Sequence, residues 1–196
     1  MTLTNRWQAL FLLLGALLVG GCRAHEYAGT VLEPPKPLED FSLPDASGGT
    51  FRLSDYRGRF VLVYFGYTFC PDICPATLLE ARDALRALGE DAGQVQVVMV
   101  SVDPERDTPA HLSQYLANFD PSFTGLRTTD LDALEAVLAD FGAHYEREEP
   151  AGGGSYLVTH TASLFLVDRE GRLREVFGYG TPGEAIAADL RQLMRE

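Results

Sequence analysis

The sequence predicts an α/β domain with a mixed central sheet flanked by helices, and three observations predict it. Two strongly apolar runs, residues 59–66 and 95–102, are each followed by a segment with helical apolar spacing. A third apolar run, residues 162–168, is instead joined to residues 173–177 by the tight turn at Arg169-Glu170-Gly171, as a hairpin is. Alternating strands and helices that end in a hairpin and a helix are the pattern of a mixed sheet covered by helices.

The elements follow in order. Phe41-Ser42-Leu43 and Thr50-Phe51-Arg52-Leu53 flank the turn residues Asp45 to Gly49 and read as an N-terminal β-hairpin extension. Arg59 to Gly66 is apolar almost throughout, as a strand buried on both faces is. Ala76 to Leu88 places Leu78, Leu79, Ala81, Leu85 and Leu88 at helical spacing, and Gly89 ends it. Val95 to Val102 is the second buried strand. Thr108 is the expected N-cap of a helix with Pro109 at its first position, and Asp130 caps Leu131 to Phe141. Gly152-Gly153-Gly154 is a loop leading to residues 155–160, and a last helix covers Pro182 to Met194.

The first 21 residues read as a lipoprotein-type signal peptide. Arg6 precedes an apolar core, residues 9–21, that is short for a membrane span of about 20 residues. Val19-Gly20-Gly21-Cys22 resembles a bacterial lipobox, which makes Cys22 the expected lipidation site; the alternative is an uncleaved anchor with an incidental cysteine. Residues 22–38 carry Pro34, Pro35 and Pro37 and read as a semi-rigid tether, and residues 39–196 as the domain. This places the protein on the extracytoplasmic face of a bacterial membrane, held by lipid, where disulfides can form. A net charge of −12 over 196 residues argues against nucleic acid as a partner.

Only three cysteines occur. Lipidation would remove Cys22, leaving Cys70 and Cys74 with three residues between them, after a strand and at the start of a helix. Such a pair is a disulfide, a redox couple or two ligands of a soft metal. If the helix runs through both, the spacing puts the sulfurs on one face; if Pro75 is its first residue, both lie on the preceding loop. In either case a helix N-terminus favours thiolate over thiol. Asp72, between them, either shapes the loop or acts directly. Two thiolates and an imidazole suit Cu(I), and also Cu(II) or Zn(II). Of the four histidines, His25 lies in the tether, His111 on a surface helix and His144 in a polar stretch. His160 stands directly before the strong strand 162–167.

Phe65-Gly66-Tyr67-Thr68-Phe69-Cys70-Pro71-Asp72-Ile73-Cys74-Pro75, then Ser101-Val102-Asp103-Pro104-Glu105-Arg106-Asp107-Thr108-Pro109, then Val158-Thr159-His160-Thr161 closely resemble the Sco/SenC family. The resemblance runs from about Pro37 to Glu196. It implies a thioredoxin-like copper chaperone that helps assemble the dinuclear copper (CuA) centre of cytochrome c oxidase. Cys70, Cys74 and His160 would be the copper ligands, and Asp72 a neighbour of the site. The CuA-bearing oxidase subunit would be the acceptor, and another copper chaperone the donor. Thr159 departs from the pattern, because an aspartate is expected before the histidine. The segment 103–107 is expected to border the site without ligating.

The competing reading is an enzyme: a tethered thiol–disulfide oxidoreductase in which Cys70 attacks a client disulfide and Cys74 resolves it. Thiol peroxidase chemistry would also suit such a fold. The three-residue spacer, and the absence of proline between Ala151 and Thr181, weigh toward copper. Both activities would use the same sulfurs, so a Cys70–Cys74 disulfide would switch copper binding off.

Overall fold

The computed structural model describes residues 25–148 and 156–196. Near its start it departs from the sequence reading. Residues Thr30–Pro37, expected to belong to the tether, form strand β1, antiparallel to the strand at residues 172–177. The tether is therefore corrected over its second half. Proline is tolerated on an edge strand because its missing N–H can face away from the sheet, and the register shifts between Val31 and Lys36, around Pro34 and Pro35. His25, also placed in the tether, sits 2.5 Å through Nε2 from Asp189 Oδ1. A chain beginning at residue 38 should melt roughly 5 °C or more below one beginning at residue 23, as followed by circular dichroism. Equal melting would return residues 30–37 to the tether.

The hairpin forms as expected from β2 (Ser42–Pro44) and β3 (Thr50–Arg52), with Leu43 and Phe51 buried. β4 (Phe60–Gly66) is buried at all seven positions. Helix α1 (Ile73–Leu88) follows, then β5 (Val95–Ser101). Helix α2 (Pro109–Ala117) is capped by the Thr108 hydroxyl, which accepts the His111 N–H. The three-residue β6 (Thr124–Leu126) leads to α3 (Leu131–Phe141), where Asp130 accepts from the Ala133 N–H. Gly142 ends α3 at φ 68°, a left-handed geometry that glycine adopts without steric cost.

β7 (Tyr145–Glu148) and β8 (Leu157–His160) pair antiparallel in a small sheet of their own. β9 (Leu164–Val167) and β10 (Arg172–Phe177) make the expected hairpin, and α4 (Gly183–Met194) closes the fold.

The main sheet runs β1-β10-β9-β4-β5-β6, with β4, β5 and β6 parallel and the other pairings antiparallel. α1 and α4 pack together, and Gly183 permits their approach, because a Cβ there would lie 2.5 Å from the Glu80 carbonyl oxygen. The parallel β4 and β5 direct their carboxyl ends to one edge, where ligands of open α/β sheets bind. Both sulfurs follow β4, so the sheet delivers them to that edge.

Candidate metal centre

After Gly66 the chain leaves β4 as a loop, Tyr67 to Asp72, and Asp72 occupies the N-cap position of α1. The helix start lies between the two expected alternatives: Cys74 is in its first turn and Cys70 on the loop before it. Pro75 is the third helical residue. Cys74 is fully buried, whereas Cys70 is half-buried, and both are free thiols.

The two sulfurs are electrostatically unequal. Cys70 Sγ accepts the Cys74 N–H at 3.4 Å. The Cys74 thiol, then His160 and the backbone N–H groups of Cys74 and Asp72, hold the Cys70 thiol down to about 3 against the effect of burial. Burial first, and then the neighbouring Cys70, push the Cys74 thiol far up. Cys70 is the thiolate of the pair and Cys74 the thiol.

His160 ends β8, and its Nε2 lies 3.3 Å from Cys74 Sγ. Its Nδ1 lies 3.2 Å from the Thr161 carbonyl. With Nδ1–H donating to that carbonyl, Nε2 keeps its lone pair for the Cys74 S–H or for a metal ion. Thr159 gives the imidazole nothing: its hydroxyl donates to Glu148 across the β7–β8 pair. Support for the ring thus comes from the residue after the histidine. The ligand atoms of Cys70, Cys74 and His160 all lie within 4.8 Å of one another, a set that suits a soft metal ion. Asp72 is exposed and its carboxylate makes no capping bond; its backbone N–H serves Cys70. With Tyr67, Ile73 and Leu157 it lines a cleft of about 250 Å³ that opens onto Cys70 and His160. Cys22 lies outside the described residues.

Of the other histidines, His111 sits on α2 with its ring 5.4 Å from that of Phe69, and His144 Nδ1 is 3.1 Å from the Thr161 hydroxyl. Neither belongs to the cluster.

The segment 103–107 braces the site from two sides. Asp107, wholly buried, accepts the Ser101 hydroxyl at 2.6 Å, the Thr68 hydroxyl at 2.6 Å and the Thr68 N–H at 3.2 Å. It ties the Cys70 loop to the end of β5, and burial raises its pKa. Asp103 accepts the Tyr156 hydroxyl at 2.7 Å and pairs with Arg106. Arg106 lies 3.6 Å over the Tyr156 ring and donates to the Tyr156 carbonyl at 2.9 Å. The Tyr67 hydroxyl accepts the Val158 N–H at 3.2 Å. Together these fix the start of β8, which carries His160. The sequence reading placed this segment beside the site, with Asp107 only as part of a loop and helix cap, and gave Tyr67 and Tyr64 no role; Asp107 and Tyr67 stand in the quoted motifs, whereas Tyr64 lies just before the first of them.

The family model for SCO1/SenC matches residues 31–195. The chain belongs to the SCO1/SenC family. That match begins inside β1, in accord with a strand rather than a tether there. Among curated relatives, the protein SCO2 homolog, mitochondrial, of Bos taurus is 33% identical over 157 residues, 79% of this chain and 59% of that relative. The chain spans 57–60% of the length of the first three curated relatives it matches. Among solved structures, apo Sco1 from Thermus thermophilus is 40% identical with a TM-score of 0.78, covering 87% of this chain and 99% of that one. Bradyrhizobium japonicum ScoI with copper bound is 38% identical with a TM-score of 0.72, covering 80% and 99%. The SCO1/SenC domain here has the thioredoxin-like mixed α/β fold of those structures.

Proposed function

We propose that this SCO1/SenC protein is a membrane-tethered, extracytoplasmic copper metallochaperone. It binds one copper ion through Cys70, Cys74 and His160 and delivers it to the CuA centre of cytochrome c oxidase. The observation that carries the reading is the convergence of two sulfurs and one imidazole nitrogen within 4.8 Å. Copper bound to Bradyrhizobium japonicum ScoI supports the choice of metal. Copper is here cargo, and the two oxidation states share the same three donors.

The residues divide the work. The Cys70 thiolate, half-exposed at the cleft, meets an incoming ion or an acceptor's ligand first. Cys74 gives up its proton on metal binding, and His160, with Nδ1 committed to Thr161, presents Nε2. Release then proceeds by ligand exchange, one donor at a time. The signal segment and Cys22 support the tether and the extracytoplasmic location. Among the described residues no helix is long and apolar enough to cross a membrane.

A second reading is favoured by the unequal thiols. Cys70 attacks a client disulfide, breaking its S–S bond and releasing one client thiolate. Cys74 then loses its proton and attacks Cys70 Sγ, closing the Cys70–Cys74 disulfide and releasing the second thiolate, so that two electrons pass to the client.

Titration of the reduced protein with Cu(I) against a competing chelator should show one equivalent bound. Cys70→Ala and Cys74→Ala should each weaken binding at least about a hundredfold, and His160→Ala about tenfold. Unchanged affinity in the His160 variant would remove that residue from the site. Efficient disulfide reduction without copper uptake would move the function to the oxidoreductase.

A further inference from the structure

Tyr64 is wholly buried, yet its hydroxyl lacks a well-formed hydrogen bond. A phenylalanine would fill the same space without burying a polar group, so the oxygen needs a reason. The neighbouring atoms supply one. Tyr64 and Gly66 lie on the same face of β4, and a Cβ on Gly66 would meet Tyr64 Cε1 at 2.6 Å and Cys74 Sγ at 3.1 Å. The missing side chain is what lets the phenol ring and the sulfur come together. The hydroxyl faces Cys74 Sγ, toward which it is the donor, and the Thr77 side chain. The Tyr64 ring also stands edge-on to the His160 imidazole, centroids 5.9 Å apart at 79°. One side chain thus touches two of the three residues of the site from beneath.

We propose that the Tyr64 hydroxyl is the hydrogen-bond donor that receives Cys74 once a metal has displaced its proton, which makes Tyr64 a positioning residue of the centre. The inference rests on the metal-binding reading of Cys70, Cys74 and His160. A thiol sulfur is a weak acceptor, so the metal-free state leaves the phenol poorly served. A thiolate is a strong one, and the bond becomes charge-assisted when the metal arrives. Thr77 is the other polar neighbour, and its hydroxyl proton is already given to the Ile73 carbonyl at 3.0 Å. The orphaned hydroxyl is therefore a group whose partner is completed by the cargo.

The test compares the wild type with Tyr64→Phe and Thr77→Val, using Cu(I) and, separately, Cd(II) as a soft probe of the two sulfurs. Tyr64→Phe should leave the metal-free melting temperature unchanged or higher, because it removes an unserved polar group. The same variant should bind Cu(I) and Cd(II) about tenfold more weakly, the scale of one hydrogen bond to a charged acceptor. Its sulfur-to-cadmium charge-transfer band should move to lower energy, a signature that a purely structural tyrosine would not alter. Thr77→Val should leave both affinities and the band in place. Unchanged affinity and band in Tyr64→Phe, or a loss confined to metal-free stability in both variants, would overturn the proposal. A wild type that takes Cd(II) but not Cu(I) would reject the copper reading, and the cadmium comparison would still decide the role of Tyr64.

Discussion

Asp107→Ala should destabilise the domain by roughly 2–4 kcal/mol and loosen the loop that carries Cys70. The carboxylate is fully buried and accepts from three donors: the Thr68 N–H, the Thr68 hydroxyl and the Ser101 hydroxyl. Alanine leaves all three without their acceptor around a wholly buried position, and each orphaned donor costs about 1–3 kcal/mol before relaxation. The hydroxyls can turn elsewhere, so the costs do not add in full; the backbone N–H of Thr68 cannot. That residue is two positions before Cys70, which makes the effect functional as well as structural. Cu(I) affinity should fall with stability, because Cys70 Sγ depends on a loop held at both ends. Asp107→Asn should be the milder change: its carbonyl oxygen still accepts from Thr68, and burial already disfavours a charge at this position. Denaturant unfolding read beside chelator competition would check both. An alanine variant as stable as the wild type would mean the loop is anchored by other contacts.

The contrast between Asp107 and the strands explains what was legible in the sequence. β4 is buried along its whole length and β5 at every position but Gln96, so their apolar runs announce them, and the caps at Thr108 and Asp130 act through local chemistry that a short window of sequence contains. β1 hid because its prolines signal a linker, and only pairing with β10, some 140 residues away, makes them an edge. β7 and β8 hid because they pair with each other, with Tyr145–Glu148 mostly exposed and without apolar alternation. The start of α1 was ambiguous because both alternatives were set by Cys70, Cys74 and Pro75, while the N-cap position fell to Asp72. At the site, the ligand residues could be named from their chemistry and the family's motifs. Their supports could not: a tyrosine inside an apolar strand reads as core, and a carboxylate among loop residues reads as surface. Tyr64 and Asp107 acquire their meaning only from what the fold brings against them.

The other large effect is a pH dependence that runs opposite to ordinary acid unfolding. Glu175 on β10 and Asp189 on α4 are both buried and interact, and Glu175 Oε2 has no well-formed hydrogen bond. The remaining oxygens hold the N-terminal segment: Glu175 accepts the Gly29 N–H at 3.0 Å, and Asp189 accepts the Ala28 N–H at 2.8 Å and pairs with His25. Two buried carboxylates in contact cannot both be charged cheaply, so the pair keeps a proton. Burial first, and Asp189 second, push Glu175 up to about 8, with Arg174 pulling the other way. The folded pKa lies above the unfolded value of 4.5, so the stability this group contributes is complete below that value and is lost as pH rises through about 8. The melting temperature should therefore decline between about pH 5 and about pH 9. Glu175→Gln should flatten that decline and stabilise the protein at the alkaline end by on the order of 1–3 kcal/mol. Glutamine can still accept from Gly29 while its amide donates to Asp189, so the geometry is kept and only the charge is removed. Thermal melts of both proteins across that range decide it: parallel slopes would mean the Glu175–Asp189 pair is not the titrating unit. Because His25, Ala28 and Gly29 meet the pair directly, losing its proton would also loosen the segment through which the chain enters the sheet.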